Sequence, residues 1–316
     1  MFRVFAALLA VVSLNGLAAW PEKPIKVLIG YAPGGSTDVV ARLLAPKLGE
    51  KLGQPVIVEN KPGGAGDLAA EVMLQAPPDG YTLLMTTVAV HAINPGLLKQ
   101  RFHPLNDFTP IALVCSYPMI MIGSPQTSFK SIGELKELAA KSPTFYSSSG
   151  VGSPGHLSGE LLVRALKADI THVPYKGAQA VIADLLGGHV EMYFNPMPSA
   201  RGYVKQNPDK VTPLAVTSRV RSPQLPDVPT LDELGLKGFD VYSWYGLCAP
   251  GGTPKDIIDK LSAEVARALA KGDLPERLRG FGTNPQASTP EQFAEQIRTE
   301  TATWAKIIKD KDIKAE

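Results

Sequence analysis

Two glycine-rich stretches carry the residue types that could do chemistry. Pro33-Gly34-Gly35-Ser36-Thr37-Asp38 and Ser147-Ser148-Ser149-Gly150-Val151-Gly152-Ser153-Pro154-Gly155-His156 both set hydroxyls and glycines just ahead of a helical pattern. Gly150-x-Gly152-x-x-Gly155 has the spacing of a dinucleotide fingerprint, which also needs an acid at the end of the next strand to hold a ribose. Asp169 lies before that strand, and the strand ends in Tyr175-Lys176-Gly177 without an acid. Anion binding is what survives. The first turn of a helix leaves backbone N–H groups without intrahelical partners and carries about half a positive charge. Ser153 is a good N-cap, Pro154 suits the first helical position, and Gly150 and Gly152 let the backbone approach a ligand. Such loops hold a carboxylate without arginine. A third polar strand end, Thr86-Thr87, precedes the segment VAVHAINPGL, which could start another short helix.

Other chemistries have less behind them. A hydrolase has serines, His156 and Asp38 to draw on but no Gly-x-Ser-x-Gly elbow, and it stands as the alternative from another class. His91, His103, His156, His172 and His189 are scattered, with no His-Glu-x-x-His or paired-cysteine spacing, so no metal is expected. No Gly-Lys-Ser/Thr follows a glycine turn, and no cofactor is expected. Tyr175 and Lys176 could close a pocket or form a solvated turn. Asn195, before Pro196, could contact a ligand or belong to a rigid loop, and Asp184 faces solvent or caps a neighbour.

The elements that must position these loops alternate between strand and helix. An apolar run at 25–31 leads to a helix that ends near Gly53 and carries Pro46, where a kink is expected. A strand at 56–58, a helix at 68–75 and a strand at 81–86 follow. The pattern restarts after Pro118: a capping box at Ser131 to Glu134 opens a helix, then come a strand at 144–146, a helix at 154–167, a strand at 170–175, a helix at 179–186 and a strand at 190–194. Thr253-Pro254 and Thr289-Pro290-Glu291-Gln292 open the last helices. Alternation of this kind predicts parallel α/β sheets, and the extended segments 111–122 and 242–250 are expected to cross between two units.

The N-terminus, MFRVFAALLAVVSLNGLAA, reads as a secretory signal: one cation, an apolar run too short to span a membrane, and small residues before a cleavage site near Ala19. Export to the periplasm is therefore expected. Removing residues 1–19 takes Arg3 away and lowers the formal charge from +2 to +1, which leaves no basic field for nucleic acid. Cys115 and Cys248 could form one bridge or remain two buried thiols.

From residue 20 onward the chain resembles the Bug family, the extracytoplasmic solute receptors of tripartite tricarboxylate transporters. The resemblance rests on WPEKPIKVLIGYAPGGSTDVVAR, LGQPVIVENKPGGAG, PPDGYTLLM, HAINPGL, SSSGVGSPGHLSGEL, HVPYKGAQAVIADLLGGHVEMYF, LAVTSRVRSPQLPDVPTLDELG and APGGTPKDIIDKL. It implies a two-domain periplasmic-binding-protein (Venus flytrap) α/β fold, each domain a mostly parallel sheet flanked by helices, joined by two crossing strands. The domains would be 20–118 with 245–316, and 119–244. It further implies a monomeric receptor without catalysis, holding a di- or tricarboxylate or related acid for membrane subunits of the transporter, or signalling to a sensor protein. Carboxylates would be held by Gly34, Gly35, Ser36, Thr37 and Asp38, by Thr86, Thr87 and Val88, and by Ser147, Ser149, Gly150, Gly152 and Ser153, with ordered water deeper in the cleft. Tyr31, His156, Tyr175 and Asn195 would stand at the pocket walls. Asn195 replaces an aspartate frequent in the family. An amide does not balance an ammonium as a carboxylate does, which favours a non-amino acid ligand.

Overall fold

The computed structural model describes residues 20–127, 129–175, 177–207, 209–310 and 312–315. The expected leader and Lys176 lie outside the described residues. In chain order the elements are β1 (Ile25–Ile29), α1 (Ser36–Leu52), β2 (Val56–Asn60), a 3-10 turn (Gly64–Gly66), α2 (Asp67–Leu74), β3 (Thr82–Thr87), a π-helical turn (Ala89–Ile93) and α3 (Asn94–Leu97). Next come β4 (Phe108–Gly123), α4 (Ile132–Lys141), β5 (Phe145–Ser148), α5 (Pro154–Leu166), β6 (Thr171–Pro174), α6 (Ala178–Gly187), β7 (Met192–Pro196), α7 (Met197–Gln206) and β8 (Thr212–Val216). The chain finishes with β9 (Tyr242–Pro250), α8 (Lys255–Ala270), α9 (Leu274–Gly280), β10 (Asn284–Pro285) and α10 (Pro290–Asp310).

The strands run in the order β2-β1-β3-β9-β4-β7-β5-β6, with β8 and β10 also paired to β4. Pairing is parallel among β2, β1 and β3 and among β7, β5 and β6, as the strand-helix alternation predicts. The middle differs: β9 runs antiparallel to both β3 and β4, and β4 antiparallel to β7 and β8, so the sheet is mixed. The reason is connectivity, because β9 enters from the far half after the second group of strands is complete. β4 serves both halves. Its residues Phe108 to Pro118 pair with β9, and Met119 to Gly123 pair with β7 and β8. Along β9, pairing is with the first part of β4 throughout, and the Val241 N–H just before it meets Thr217 O at 2.9 Å.

β4 is almost wholly buried, so it reads as a continuous apolar run instead of an alternation. Cys115 and Cys248, on β4 and β9, are buried free thiols. α1 continues through Pro46 as one helix. Ser131 Oγ accepts the Glu134 N–H at 3.2 Å, so the predicted cap of α4 forms. At α10 the box is reciprocal: Thr289 Oγ1 accepts from Gln292 N at 3.2 Å while Thr289 N donates to Gln292 Oε1 at 2.9 Å. Thr289→Ala is expected to lower stability by about 1 kcal/mol, seen as a lower urea midpoint with an unchanged slope. α7, α9, β8 and β10 were not anticipated from the sequence pattern.

Candidate functional site

Where the two parallel ends of the sheet face each other, a cavity of about 150 Å³ opens among loops and helix starts. That is well below the roughly 300–1,000 Å³ of drug-sized pockets and suits a small metabolite. The first half supplies Tyr31, Gly34, Gly35, Ser36, Thr37 and Thr87; the second supplies Ser149, Pro154, Gly177, Gln179, Tyr193 and Ser199. Tyr117 of β4 and Tyr245 of β9 form the floor between them. No Asp, Glu, Lys, Arg or His side chain belongs to this lining among the described residues.

The first wall is held from behind. α1 begins after Gly35 with no side-chain cap, so its first-turn N–H groups are left for another acceptor. Ser36 Oγ meets Tyr245 OH at 2.6 Å, and Tyr31 OH donates to Ala65 O at 2.8 Å and lies 3.4 Å from Thr87 Oγ1. Burial pushes the Tyr31 phenol up to about 12, so it remains a neutral donor. Asp38 is buried behind the loop and does not line the cavity. Its carboxylate accepts from Gly34 N at 3.0 Å, Arg42 Nε at 3.0 Å and Asn60 Nδ2 at 2.9 Å, and Asn60 Nδ2 also donates to Tyr31 O at 3.0 Å. The loop is thereby pinned at both ends. Thr86 and Val88 are buried away from the cavity while Thr87 faces it, as the alternation of side chains along β3 requires.

In the second wall, Ser149 reaches the cavity and its neighbours build the turn. Ser147 Oγ donates to Met192 O at 2.9 Å, inside the sheet, and Ser148 Oγ donates to Gly150 O at 3.0 Å. Ser153 Oγ accepts the His156 N–H at 3.3 Å, capping α5 as expected. Gly152 adopts φ +75°, the left-handed region, and its N–H donates to His156 Nδ1 at 3.3 Å. His156 is therefore a support for the loop, 2% exposed and stacked on His172 at 4.2 Å, and does not line the cavity. Burial brings its pKa down to about 4, which keeps the ring neutral, and because Nδ1 accepts the Gly152 N–H the ring proton sits on Nε2. Gly150 turns behind Ser149, and Tyr175 donates to Asp184 Oδ2 at 2.7 Å, outside the lining. Asn195 is fully buried behind the wall, with Oδ1 accepting from Ser199 Oγ at 2.6 Å.

Sequence reading thus found the glycine loops and missed most of the aromatic wall. Tyr117, Tyr193 and Tyr245 sit in apolar strands, where a lone tyrosine carries no signal that separates it from core. Ser148, which meets the His172 ring at 2.8 Å, is buried in the sheet and is not a cavity residue. Among the described residues no group of three or more His, Cys, Asp or Glu is placed to hold a metal, and no helix is long and apolar enough to cross a membrane.

A mixed sheet with parallel ends meeting at a small cavity lined by helix starts, uncharged among the described residues, is the build of a periplasmic-binding-protein-like solute receptor. Residues 40–313 match the Tripartite tricarboxylate transporter family receptor (TctC), and the chain belongs to this family of substrate-binding receptors. It is similar to protein BugT of Bordetella pertussis, 31% identical over 320 residues covering 98% of each chain. Among solved structures, an R. palustris protein with adipate superposes at TM-score 0.88 with 33% identity, over 93% of this chain and 98% of that one. MatC from Rhodopseudomonas palustris with bound malate gives a TM-score of 0.85 with 34% identity, over 92% and 100%.

Proposed function

We propose that this receptor is exported to the periplasm, closes on a small carboxylate between domains 20–118 with 245–316 and 119–244, and delivers it to the membrane subunits of a tripartite tricarboxylate transporter. The observation that carries this reading is the uncapped start of α1. Its free N–H groups, the Ser36 and Thr37 side chains and Thr87 converge on a cavity whose lining has, among the described residues, no charged group to compete. A carboxylate there accepts charge-assisted hydrogen bonds without a cation, and water exclusion on closure strengthens them. Gly34, Gly35, Ser36, Thr37, Thr87 and Ser149 are the proposed contacts. Asp38, Ser147, Gly150, Gly152, Ser153 and His156 shape the loops that present them. The relatives solved with adipate and malate support the ligand class. No covalent step is invoked, so hydrogen bonding set up in advance by the loops accounts for the binding.

Native mass spectrometry of gently purified protein is expected to show a co-purified small acid. A matching acid at a hundredfold excess over its Kd should stabilise the fold by about 2.7 kcal/mol, a rise of several degrees in Tm. Small-angle scattering should show compaction on binding. No shift across a broad carboxylate panel, or turnover of esters or amides, would overturn the reading.

A further inference from the structure

Behind the first wall of the cavity stands a carboxyl that does not line it. Asp67 opens α2 and is buried, and among the described residues no Lys, Arg or His pairs with it. Its partners are two amides. Asn94 Nδ2 donates to Oδ1 at 2.7 Å, and Gln100 Nε2 donates to Oδ1 at 3.1 Å and to Oδ2 at 3.2 Å. Both amides are fixed in orientation, because Asn94 Nδ2 also donates to Gly64 O at 3.2 Å and Gln100 Nε2 to Val90 O at 2.8 Å. Their oxygens, Asn94 Oδ1 and Gln100 Oε1, are buried and have no donor among the described residues. A buried anion without a cation, beside two acceptors without a donor, is short of one proton.

The same cluster touches both sides of the cleft. Asn94 Oδ1 faces Gly152 of the second half, where an added β-carbon would stand 2.3 Å from it. On the cavity side, Tyr31 OH donates to Ala65 O at 2.8 Å, just ahead of Asp67, and the Asp67 charge adds to burial in holding the Tyr31 phenol up. That influence is mutual, so an anion bound beside Tyr31 disfavours the charge on Asp67. Closing the halves over Asn94 removes water from the cluster and acts in the same direction. Other titratable groups surround it. Glu71 on α2 is paired to Arg101 at 3.8 Å, His91 of the π-helical turn is turned to Pro104 O, and His156 stands behind Gly152, both histidines neutral through burial. Lys26 of β1 and Lys61 act on Glu59, Lys99 is exposed, and β3 and β9 carry no charged side chain.

We infer that Asp67 is a proton site coupled to ligand capture, so that the receptor takes up a proton there as it closes on its ligand. This rests on the reading of a receptor that closes on a carboxylate, and it adds a proton to that step. The proton goes to the Asp67 carboxyl, and a half-turn of the Gln100 amide brings its oxygen round to accept the new O–H. Burial already raises this carboxyl to about 6 against the Asn94 and Gln100 donors, with the Glu71 charge adding to it. The site therefore fills and empties above the range in which ordinary carboxylates titrate. Gly64, Asn94 and Gln100 all belong to the first half, so part of the burial persists when the halves part, and the remainder is what ligand capture adds.

The test is calorimetric titration of the full mature protein, freed of co-purified ligand by unfolding and refolding, with adipate and with malate in buffers of different ionisation enthalpy. Wild type is compared with Asp67→Asn, which keeps the shape and fixes the neutral state, so any proton carried by the acid itself cancels. Near pH 6 wild type is expected to take up about 0.5 proton per ligand more than Asp67→Asn. A difference of about one pKa unit between free and bound forms is tenfold in affinity, so at pH 8 Asp67→Asn should bind about tenfold more tightly than wild type, and the gap should narrow as the pH is lowered. Equal proton uptake by the two proteins, or weaker binding by Asp67→Asn at every pH, would overturn the coupling and leave the carboxylate reading intact. Urea unfolding without ligand tests the site independently. A carboxyl raised in the folded state gives its stability in full below the unfolded value of about 3.9 and loses it as the pH rises through the folded value of about 6, so wild type should lose stability relative to Asp67→Asn over that rise. Parallel curves would overturn the proton site. No binding of either acid, together with no co-purified acid, would overturn the carboxylate reading and the coupling that rests on it, whatever the unfolding curves show.

Discussion

Gly152→Ala is expected to weaken ligand binding by about 30-fold while the chain stays folded. A β-carbon at this position would stand 2.3 Å from Asn94 Oδ1 and 3.7 Å from Leu98 Cδ1, and the backbone there is at φ +75°. Asn94 has nowhere to retreat. It is fully buried, and its Nδ2 donates to Asp67 Oδ1 at 2.7 Å and to Gly64 O at 3.2 Å. Asp67 is in turn held by Gln100 Nε2 at 3.1 Å, and burial raises its carboxyl to about 6 despite those two amide donors. The added methyl must push the second glycine loop away from α3, which lies in the other half of the sheet. If, as proposed, the two halves part in the ligand-free protein, that contact belongs to the closed form and the penalty falls on the ligand-binding conformation. The left-handed backbone adds about 1 kcal/mol in both conformations. A closed state disfavoured by about 2 kcal/mol lowers apparent affinity by the same factor through the population of the competent form. Calorimetry and thermal melting separate the two effects: a large loss of affinity should accompany a small loss of ligand-free stability. Unchanged affinity would mean that the loop and α3 do not approach during binding.

The parts of this molecule that were legible in the sequence are those fixed by neighbours in the chain. Ser131, Ser153 and Thr289 cap their helices because a hydroxyl reaches an N–H three residues on, and this holds in almost any fold. Gly34, at φ +80°, and Gly35 mark the turn into α1 locally too, by backbone freedom and without any side-chain cap. β9 was read as a strand, but its antiparallel insertion between β3 and β4 depends on where the chain returns from, and no local pattern encodes that. Pro196 and Pro198 around Met197 leave a ligand contact and a rigid loop both open in the sequence, whereas the segment starts α7, since proline is at home in a helix's first turn. The tyrosine wall is the same problem at the level of the site. Tyr193 and Tyr245 become cavity residues only because strands distant in sequence end side by side. His156 had the chemistry of a ligand contact, and the structure spends it on Gly152.

Asp38→Ala is expected to destabilise the protein by about 2 kcal/mol at neutral pH and to weaken ligand binding at least about tenfold. The substitution leaves the Gly34 N–H, Asn60 Nδ2 and Arg42 without their common acceptor, and Asn60 is also the anchor for Tyr31 O. Arg42 is half exposed, so water takes over part of its charge and the cost stays below that of a fully buried broken pair. The pH dependence follows from the carboxyl itself. Burial alone would raise its pKa, but Arg42, the Gly34 N–H and Asn60 outweigh burial and hold it below the usual range. A carboxyl depressed in the folded state binds its proton more readily once unfolded. Its contribution is therefore complete above the unfolded value of about 3.9 and disappears as pH falls through the folded value. Urea unfolding of wild type and Asp38→Ala should accordingly differ most at pH 7, with the two stabilities converging as the pH is taken below 4. A difference that stayed constant down to pH 2 would show that packing, and not the ionised clamp, is what Asp38 contributes. If affinity were unchanged while stability fell, the loop from Tyr31 to Ser36 would be holding its shape without the clamp, and the uncapped start of α1 would be organising the anion site alone.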